Sequence, residues 1–482
     1  MSEQQGQPTL TTQHRTTRKA VVAAAIGNAT EWYDFGVYSY LAVTIGLVFY
    51  PSQSSGVQLI ATFTTFAAAF LVRPLGGMFF GPLGDRIGRK RVLAATMLLM
   101  AVSTFAIGLI PSAASIGIAA PILLLVARML QGFSTGGEYG GATTFIAEYA
   151  PDRRRGFLAS WLEFGTVSGY VGGAGIVTVM TLLLGTDTMH DWGWRIPFLL
   201  ALPLGAIGLY LRVKLEETPV FNENTDGFAK DEEGERRKGQ FRETIVGQWR
   251  AIVLCIGLVM VFNVNNYMVT AYMPTYLEAV LGYSSTLALV VTLGAMVFML
   301  LTVTLFGFAS DHVGRRPVLM SGCVLGIVLS LPAFWLLQQG SLWAASLGVL
   351  ALAVTLVHFS GAGPAALPAF FPTKVRYGAL AISFNVSVAL FGGTTPLVSE
   401  SLVQATGNLY SPAWLVMAAS AVGLVVVWRM RESAGQPLPG APAIPVPERR
   451  PGASGGPPSP RESGESLPGE WNGNVRRLPT EN

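Results

Sequence analysis

Two stretches of the sequence decide the fold: Gly81-Pro-Leu-Gly-Asp85-Arg86-Ile-Gly88-Arg89-Lys90 and Gly307-Phe-Ala-Ser-Asp311-His312-Val-Gly314-Arg315-Arg316. They are two copies of nearly the same phrase, 226 positions apart, and each directly follows a long apolar run. A period of this length is far longer than a solenoid repeat. It therefore predicts two homologous halves of a membrane protein.

The composition indicates a chain that lies mostly in lipid. Hydrophobic residues make up 51% of it, charged residues 12%, and the mean hydropathy is +0.47, whereas a soluble protein carries about a quarter charged residues. Cys255 and Cys323 lie in separate apolar segments, which argues against a disulfide framework or a metal cluster. The basic residues are spread over short loops, so nucleic acid is not an expected partner. The sequence has no G-x-x-x-x-G-K-[ST] phosphate loop, which argues against an ATP-driven pump.

Twelve apolar runs are long enough to cross the hydrocarbon, which takes about 20 residues in a helix. We predict an all-α membrane protein with two pseudo-symmetric six-helix bundles, 20–213 and 250–430. Residues 1–19 form an N-terminal tail, 214–249 a charged central loop, and 431–482 a tail whose 11 prolines and missing heptad pattern predict disorder.

The orientation follows from the distribution of Lys and Arg. Basic residues occur before the first run and after every even-numbered run, and the alternate loops carry almost none except Arg195. Because cytoplasmic loops carry the excess of Lys and Arg, both termini are expected in the cytoplasm of a cell inner-membrane protein.

The repeated phrases resemble the loop motif of the major facilitator superfamily, G-x-x-x-D-R-x-G-R-[KR]. Further segments resemble its metabolite:H⁺ symporter family: 27–38, 73–77, 131–139, 192–198 and 215–219. The finer likeness, in 148–172 and 254–277, is to members that import osmolytes such as proline or glycine betaine. The resemblance covers roughly residues 18–432 and implies the major facilitator fold, alternating access, proton coupling and no cofactor. Some members end in a coiled coil, which this tail cannot form, so the resemblance does not imply the osmotic activation that is tied to that coil.

Two acidic residues in the first span are the main candidates for proton coupling. Asn28, Glu31, Asp34 and Tyr38 fall at spacings that place them on one helix face. Carboxylates at membrane depth are costly and normally face a wet cavity or a partner. We predict that Asp34, Glu31 and also Glu138 carry protons; the alternative is that these acids only pair with basic residues to hold helices together.

A zwitterionic solute would need one cation and either an anion or aromatic faces. We predict that Arg128 binds the solute carboxylate and that nearby aromatic and amide groups complete the site. The alternatives are a structural ion-pair arginine and ordinary core aromatics. The predicted solute-binding residues are Asn28, Trp32, Tyr38, Arg128, Tyr267 and Tyr272.

The repeated phrases predict residues that gate the transport path. An aspartate beside arginines at a helix end can form an ion pair with the other half when the path is closed and break it when the path opens. The alternative is that the basic residues only set the orientation of the chain in the membrane. The predicted gating residues are Arg73, Asp85, Arg86, Arg89, Asp311 and Arg315.

These patterns predict a proton-coupled importer of a small zwitterionic osmolyte, with the solute, protons and the lipid bilayer as partners. Two alternatives stay open: a proton symporter of a carboxylate metabolite of the ketoglutarate, shikimate or citrate type, and a membrane sensor that does not transport.

Overall fold

The computed structural model describes residues 10–51, 54–87, 89–136, 138–216 and 246–441. Within these ranges the chain forms twelve helical rods. They are α1 (Leu10–Tyr40, continued by Ala42–Phe49), α2 (Ser55–Ile87), α3 (Arg89–Leu109), α4 (Ala119–Ser134 and Glu138–Tyr149), α5 (Arg155–Leu184), α6 (Ala201–Glu216, entered through Arg195–Leu199), α7 (Trp249–Tyr267, continued to Val280), α8 (Ser285–Val313), α9 (Arg315–Leu337), α10 (Leu342–Ala366), α11 (Thr373–Ser387 and Thr395–Thr406) and α12 (Ser411–Arg429).

Short elements interrupt or connect the rods. Wider π-helical turns occur in α7 and α11, where they change the direction in which side chains point. The short elements are the helices Ala113–Ile116, Thr186–Thr188 and Met273–Thr275, the 3-10 turns Asp152–Arg154 and Leu367–Phe370, and the π turns Met189–Gly193, Met268–Tyr272, Tyr276–Val280 and Val388–Gly392.

The described helices are built for lipid. Nine stretches are long and apolar enough to cross a membrane, and a bent pair, Thr186–Gly193 with Arg195–Tyr210, would make a tenth. In α3 the apolar part, Ala94–Leu109, is shorter. Large apolar side chains point outward, such as Leu301 and Leu305 of α8 at 69% and 61% exposure, while many polar and charged side chains are buried inside. This inside-out arrangement confirms an all-α, multi-pass membrane protein.

The two halves, α1–α6 and α7–α12, meet through equivalent helices. The fifth helix of the first half, α5, packs against α8, which is the second helix of the other half. Reciprocally, α11 packs against α2. Helices α1 and α7 contact each other between these two seams. The same packing relation therefore occurs twice, as the repeated phrase predicts.

Glycines let α4 approach its neighbours at backbone distance. Gly132 packs on the carbonyl of Ala69 and Gly136 on the carbonyl of Arg73, so a methyl group at either position would overlap the main chain of α2. Farther along, a methyl group at Gly140 would lie 3.2 Å from the Cα of Ala381 in α11. Small residues permit such contacts between membrane helices.

The predicted domain boundaries stay predictions. Helix α1 begins at Leu10, inside the predicted tail 1–19. Most of the central loop, 217–245, and the greater part of the C-terminal tail, 442–482, lie outside the described residues. Residues 431–441 are described and lie against helix ends. We call the end of the bundle that carries Gly307–Arg316 the motif end, and the opposite end the far end.

Candidate functional site

Four polar residues of α1 are buried in the first half and contact three neighbouring helices. Asn28 donates to the carbonyl of Leu162 at 3.1 Å and to the Thr166 hydroxyl at 2.5 Å, both on α5. Tyr38 donates its hydroxyl hydrogen to the carbonyl of Thr62 on α2 at 3.0 Å. The amide of Asn28 and the hydroxyl of Tyr38, two predicted solute contacts, are therefore engaged with the protein in this conformation.

Arg73 and Glu31 form a buried ion pair between α2 and α1, with Nη2 2.9 Å from Oε1. The guanidinium also lies 5.7–5.9 Å from the centroids of three rings, those of Trp32, Phe35 and Phe70. Its Nε and Nη1 have no hydrogen-bond partner among the described residues. A buried guanidinium that retains free N–H groups can still bind a carboxylate or carbonyl oxygen.

A polar chain joins Asp34 to Arg128. Arg128 donates from Nη1 to Gln131 Oε1, and Gln131 Nε2 donates to Thr104 Oγ1 at 2.9 Å. Thr104 can donate its hydrogen to Asp34 Oδ2 at 2.9 Å or to the carbonyl of Met100 at 3.0 Å. Neither Thr104 nor Gln131 is among the residues predicted from the sequence. Gln131 lies about one turn from Arg128 on α4, whereas Thr104 reaches it from α3, a contact that helix spacing does not indicate.

Arg128 lies within a cage of aromatic rings. Its Cζ is 4.1 Å from the centroid of the Tyr38 ring and 5.2 Å from those of Phe35 and Phe66. Such contacts stabilise a buried cation. Its Nε and Nη2 have no hydrogen-bond partner among the described residues, so part of its fork is available to a ligand.

Aromatic side chains from both halves meet beside these arginines. The Trp32 ring lies 5.5 Å from Tyr170 and 6.1 Å from Tyr267, and Tyr267 lies 5.3 Å from Phe70. Three buried polar atoms of these rings lack partners among the described residues: Trp32 Nε1 and the hydroxyls of Tyr170 and Tyr267. An apolar cluster with a few polar groups that point into it has the character of a small-molecule site.

Tyr272, another predicted solute contact, belongs to a different cluster. Its hydroxyl donates to Glu400 Oε2 of α11 at 3.0 Å, and Gln404 Nε2 donates to Glu400 Oε1 at 2.8 Å. Its ring packs edge-on against Phe63 of the first half. Glu400 is not among the residues predicted from the sequence, although it is an acid inside an apolar run, as Glu31 is.

Glu163 of α5, which is not among the residues predicted from the sequence, is fully buried. Its Oε1 accepts a hydrogen bond from the hydroxyl of Tyr139. Tyr139 follows the break in α4, one residue after Glu138. The side chain of Glu138, a predicted proton carrier, lies outside the described residues.

At the motif end, Asp311 bridges the two halves. Its carboxylate accepts hydrogen bonds from the main-chain N–H groups of Gly156 (2.7 Å) and Phe157 (2.8 Å) at the start of α5. Arg315 Nη2 lies 3.1 Å from the same carboxylate. A second bridge joins Glu148 of α4 to Arg376 of α11 at 2.6 Å. The side chains of Asp85, Arg86 and Arg89, the gating residues predicted in the first copy, lie outside the described residues.

The segment after α12 crosses this closure. Glu432 accepts from the main-chain N–H groups of Arg315 (3.0 Å) and Arg316 (2.9 Å), at the N-terminus of α9. Farther along, Arg155 of the first half donates to the carbonyl of Gln436 at 3.0 Å, and Arg376 of the second donates to that of Pro439 at 2.7 Å. Residues 432–439 thus contact both halves.

The chain is similar to known transporters over most of its length. Residues 20–444 match the family described as sugar (and other) transporter. The chain is 49% identical over 430 residues to the proline/betaine transporter of Escherichia coli strain K12, covering 88% of this chain and 85% of that protein. It is 48% identical over 427 residues to the glycine betaine/proline/ectoine/pipecolic acid transporter OusA of Dickeya dadantii, with the same coverage. It is 44% identical over 432 residues to the ectoine/proline transporter ProP of Corynebacterium glutamicum, covering 88% of this chain and 86% of that protein.

Solved structures of the major facilitator superfamily share the fold. The proton:xylose symporter XylE bound to 6-bromo-6-deoxy-D-glucose superposes with a TM-score of 0.68 at 20% identity, covering 88% of this chain and 98% of that one. An inward open conformation of XylE from E. coli superposes with a TM-score of 0.64 at 18% sequence identity, with the same coverage. These findings confirm the predicted resemblance. At 18–20% sequence identity the solved structures show the fold alone. The chain is a transporter rather than an enzyme, and it belongs to the sugar (and other) transporter family of the major facilitator superfamily.

Proposed function

We propose that this protein imports small zwitterionic osmolytes, such as proline or glycine betaine, together with protons. The names of three relatives at 44–49% identity, which include proline, betaine and ectoine transporters, support this solute class. The observation that carries the proposal is local. A buried arginine with unpaired N–H groups lies beside aromatic rings at the meeting point of the two halves.

The two ends of such a solute carry opposite charges and bind different groups. A carboxylate fits the free edge of the Arg128 guanidinium, which is planar and permanently charged. A positively charged nitrogen fits the faces of Trp32 and Tyr267, because aromatic rings attract cations. Phe66 contacts both Arg128 and Tyr267, so the two subsites belong to one continuous surface. In this proposal Arg73 stays paired with Glu31 and holds α1 against α2.

Proton coupling is assigned to Asp34 through its polar chain. When Asp34 is ionised, the Thr104 hydroxyl donates to it. When Asp34 is protonated, the same hydroxyl can donate to the carbonyl of Met100, which lies at nearly the same distance. A solute carboxylate that draws Arg128 away from Gln131 disturbs this chain at its other end. Solute and proton thereby act on one network.

We further propose that the motif end faces the cytoplasm, together with both termini, in the cytoplasmic membrane of the cell. The excess of Lys and Arg in the loops at that end supports this orientation. The closure made by Asp311 would then be the inner gate, and transport would proceed by rocking of the two halves around the central cluster.

Uptake by proteoliposomes tests the function directly. Labelled proline, glycine betaine and ketoglutarate are each supplied with and without an inward proton gradient. Accumulation of proline or betaine that collapses when the gradient is dissipated supports the proposal. Accumulation without dependence on the gradient contradicts the coupling. A lack of uptake for all three solutes favours the sensor alternative.

A carboxylate-metabolite symporter is the second candidate. Arg73 and Arg128 are both buried and both retain unpaired N–H groups, which would suit a solute with two carboxylates. Gradient-driven uptake of ketoglutarate, without uptake of betaine, would establish this alternative in the same experiment.

A further inference from the structure

Glu163 is a buried carboxyl that has no role in the site described above. Its side chain is 1% exposed, and its Oε1 accepts from a neutral donor, the Tyr139 hydroxyl. Among the described residues, no arginine or lysine lies within ion-pair distance of it. Burial of an unpaired carboxylate is costly, and a group in this position readily takes up a proton instead.

Tyr139 links this carboxyl to the other half of the protein. Its ring stacks on Phe384 of α11, with centroids 4.0 Å apart and an interplanar angle of 11°. Beside the stack, Asn385 Nδ2 donates to the carbonyl of Gly136 at 2.8 Å. Gly140 packs on Ala381 one turn farther along. The second segment of α4 and the first segment of α11 therefore close the bundle between the central cluster and the Glu148–Arg376 bridge.

The protonation state of Glu163 changes how firmly Tyr139 is held. An ionised carboxylate only accepts hydrogen bonds, and its bond from the tyrosine hydroxyl is charge-assisted and therefore strong. A protonated carboxyl forms a weaker neutral bond and has a hydrogen of its own to donate. Protonation thus loosens the tie that positions the Tyr139 ring on Phe384.

Other titratable groups face Glu163 from the helices around it. Tyr170 lies about two helical turns away on α5. Tyr267 approaches from α7, and the Arg73–Glu31 pair lies beyond these two tyrosines. On α10, His358 packs on Phe306 of α8. The tyrosines stay neutral at physiological pH and the Arg73–Glu31 pair compensates its own charge, so Glu163 is the group in direct contact with the closure.

We propose that Glu163 binds a proton during transport and that Tyr139 transmits its protonation state to the closure between α4 and α11. The carrier stays closed at the motif end while Glu163 is ionised and opens there once Glu163 is protonated. Glu163 is a positioning residue in this scheme, since it acts on the closure through Tyr139. The inference rests on the proposed proton coupling and adds the point at which the proton acts on the gate.

The test measures opening directly and does not depend on which solute is carried. Spin labels are placed at two exposed positions of the motif end, Arg153→Cys in the first half and Gly378→Cys in the second, after Cys255→Ala and Cys323→Ala. Pulsed electron paramagnetic resonance then gives the distance distribution between about pH 5.5 and about pH 8.5, where uncompensated buried carboxyls titrate. The parent is expected to gain longer distances as the pH falls.

Two variants separate the proposal from a merely structural role. Glu163→Gln imitates the protonated carboxyl and should show the acid distribution at every pH. Tyr139→Phe keeps the ring but removes the hydroxyl, and it should also lose the pH dependence. Glu400→Gln is the matched control, because Glu400 also accepts from a buried tyrosine, Tyr272, but lies in the second segment of α11, away from the motif end. It should keep the parental profile.

A parental pH profile in Glu163→Gln, or a parent without any pH dependence, would overturn the inference. Size-exclusion chromatography of each variant checks that it is folded. Failure of the proposed function would look different, because labelled proline and betaine would not be taken up whatever the spin-label distances show.

Discussion

Asp34 and Arg128 lie on neighbouring helices and are connected through Thr104 and Gln131 rather than by a direct ion pair. A direct pair would hold the carboxylate ionised, since an adjacent guanidinium strongly favours the charged form. In the proposed coupling, the intervening hydroxyl and amide leave Asp34 able to exchange a proton while the positive charge of Arg128 still acts on its carboxylate. Its Oδ1 has no hydrogen-bond partner among the described residues and is the atom that would take the proton.

Asp34→Asn should abolish gradient-driven accumulation while solute exchange continues. The amide oxygen can still accept from Thr104, so the local packing persists, but the side chain no longer binds a proton. Uptake and counterflow in proteoliposomes measure the two activities separately. Asp187→Asn, at an exposed position of the far end, is the control and should behave as the parent. Accumulation retained in Asp34→Asn would rule out this residue as the proton carrier.

Arg128→Lys should weaken solute binding although it preserves the charge. Lysine lacks the planar fork and stacks less well on the Tyr38 ring, so we expect the KM for uptake to rise about tenfold or more. Arg195→Lys is the matched control, because Arg195 also lies over an aromatic ring, that of Trp194 at 4.5 Å, but outside the central cluster. An unchanged KM in Arg128→Lys would place the solute carboxylate elsewhere.

Trp32→Leu should reduce the affinity for glycine betaine. Loss of a cation–π contact costs about 0.5–2 kcal/mol, which corresponds to about 2- to 30-fold in affinity. Competition of unlabelled betaine against labelled proline gives the ratio. Trp161→Leu provides the comparison, since Trp161 packs at a tilt against Phe164 within the first half. Equal affinities in the two tryptophan variants would contradict an aromatic subsite at Trp32.

Asp311→Asn should open the motif end. The carboxylate accepts from two main-chain N–H groups of α5, and a hydrogen bond to a charged group contributes about 1.5–3 kcal/mol. Its loss should shift the closed–open equilibrium by about tenfold or more, which the spin-label pair at 153 and 378 would detect. Asp191→Asn, at the far end, serves as the reference. A distance distribution identical to the parent's would show that this bridge does not hold the closure.

Glu432→Gln should lower stability near neutral pH but not in acid. Burial acts to raise the pKa of the Glu432 carboxyl, but four main-chain N–H groups donate to it and hold that pKa below the ordinary value. A depressed folded-state pKa means that the stabilisation is complete above the unfolded value of about 4.3 and is lost as the pH falls below it through the folded value.

Thermal unfolding of the purified protein in detergent across this pH range measures the effect. The difference in Tm between parent and Glu432→Gln should shrink in acid. Gln436→Ala is the control, because the hydrogen bonds of Gln436 in the described part of the chain use its main-chain N–H and carbonyl, which alanine keeps. A difference that stays constant with pH would show that the charge of Glu432 does not stabilise the fold.

Local patterns indicated which charged side chains are buried. The burial of Glu31, Asp34, Arg73 and Arg128 followed from their position in apolar runs, and all four are 0–1% exposed. The same rule applied to Glu400 and would have found it. The residues predicted to contact the solute do not all lie together. Trp32 and Tyr267 meet at the centre, whereas Tyr272 contacts Glu400 in a separate cluster.

The sequence by itself determined that this is a membrane protein of two related halves, because hydrophobic length and a repeated phrase are properties of the chain alone. Only the tertiary structure decided which side chains the buried acids contact. Arg73 pairs with Glu31, Thr104 donates to Asp34, and Tyr139, whose ring stacks on Phe384, donates to Glu163. The physical reason is that helix periodicity fixes which side chains share a face, whereas pairing depends on which helices pack together. That packing is set by the glycine contacts and by the arrangement of the two halves. Both depend on interactions between residues far apart in the sequence.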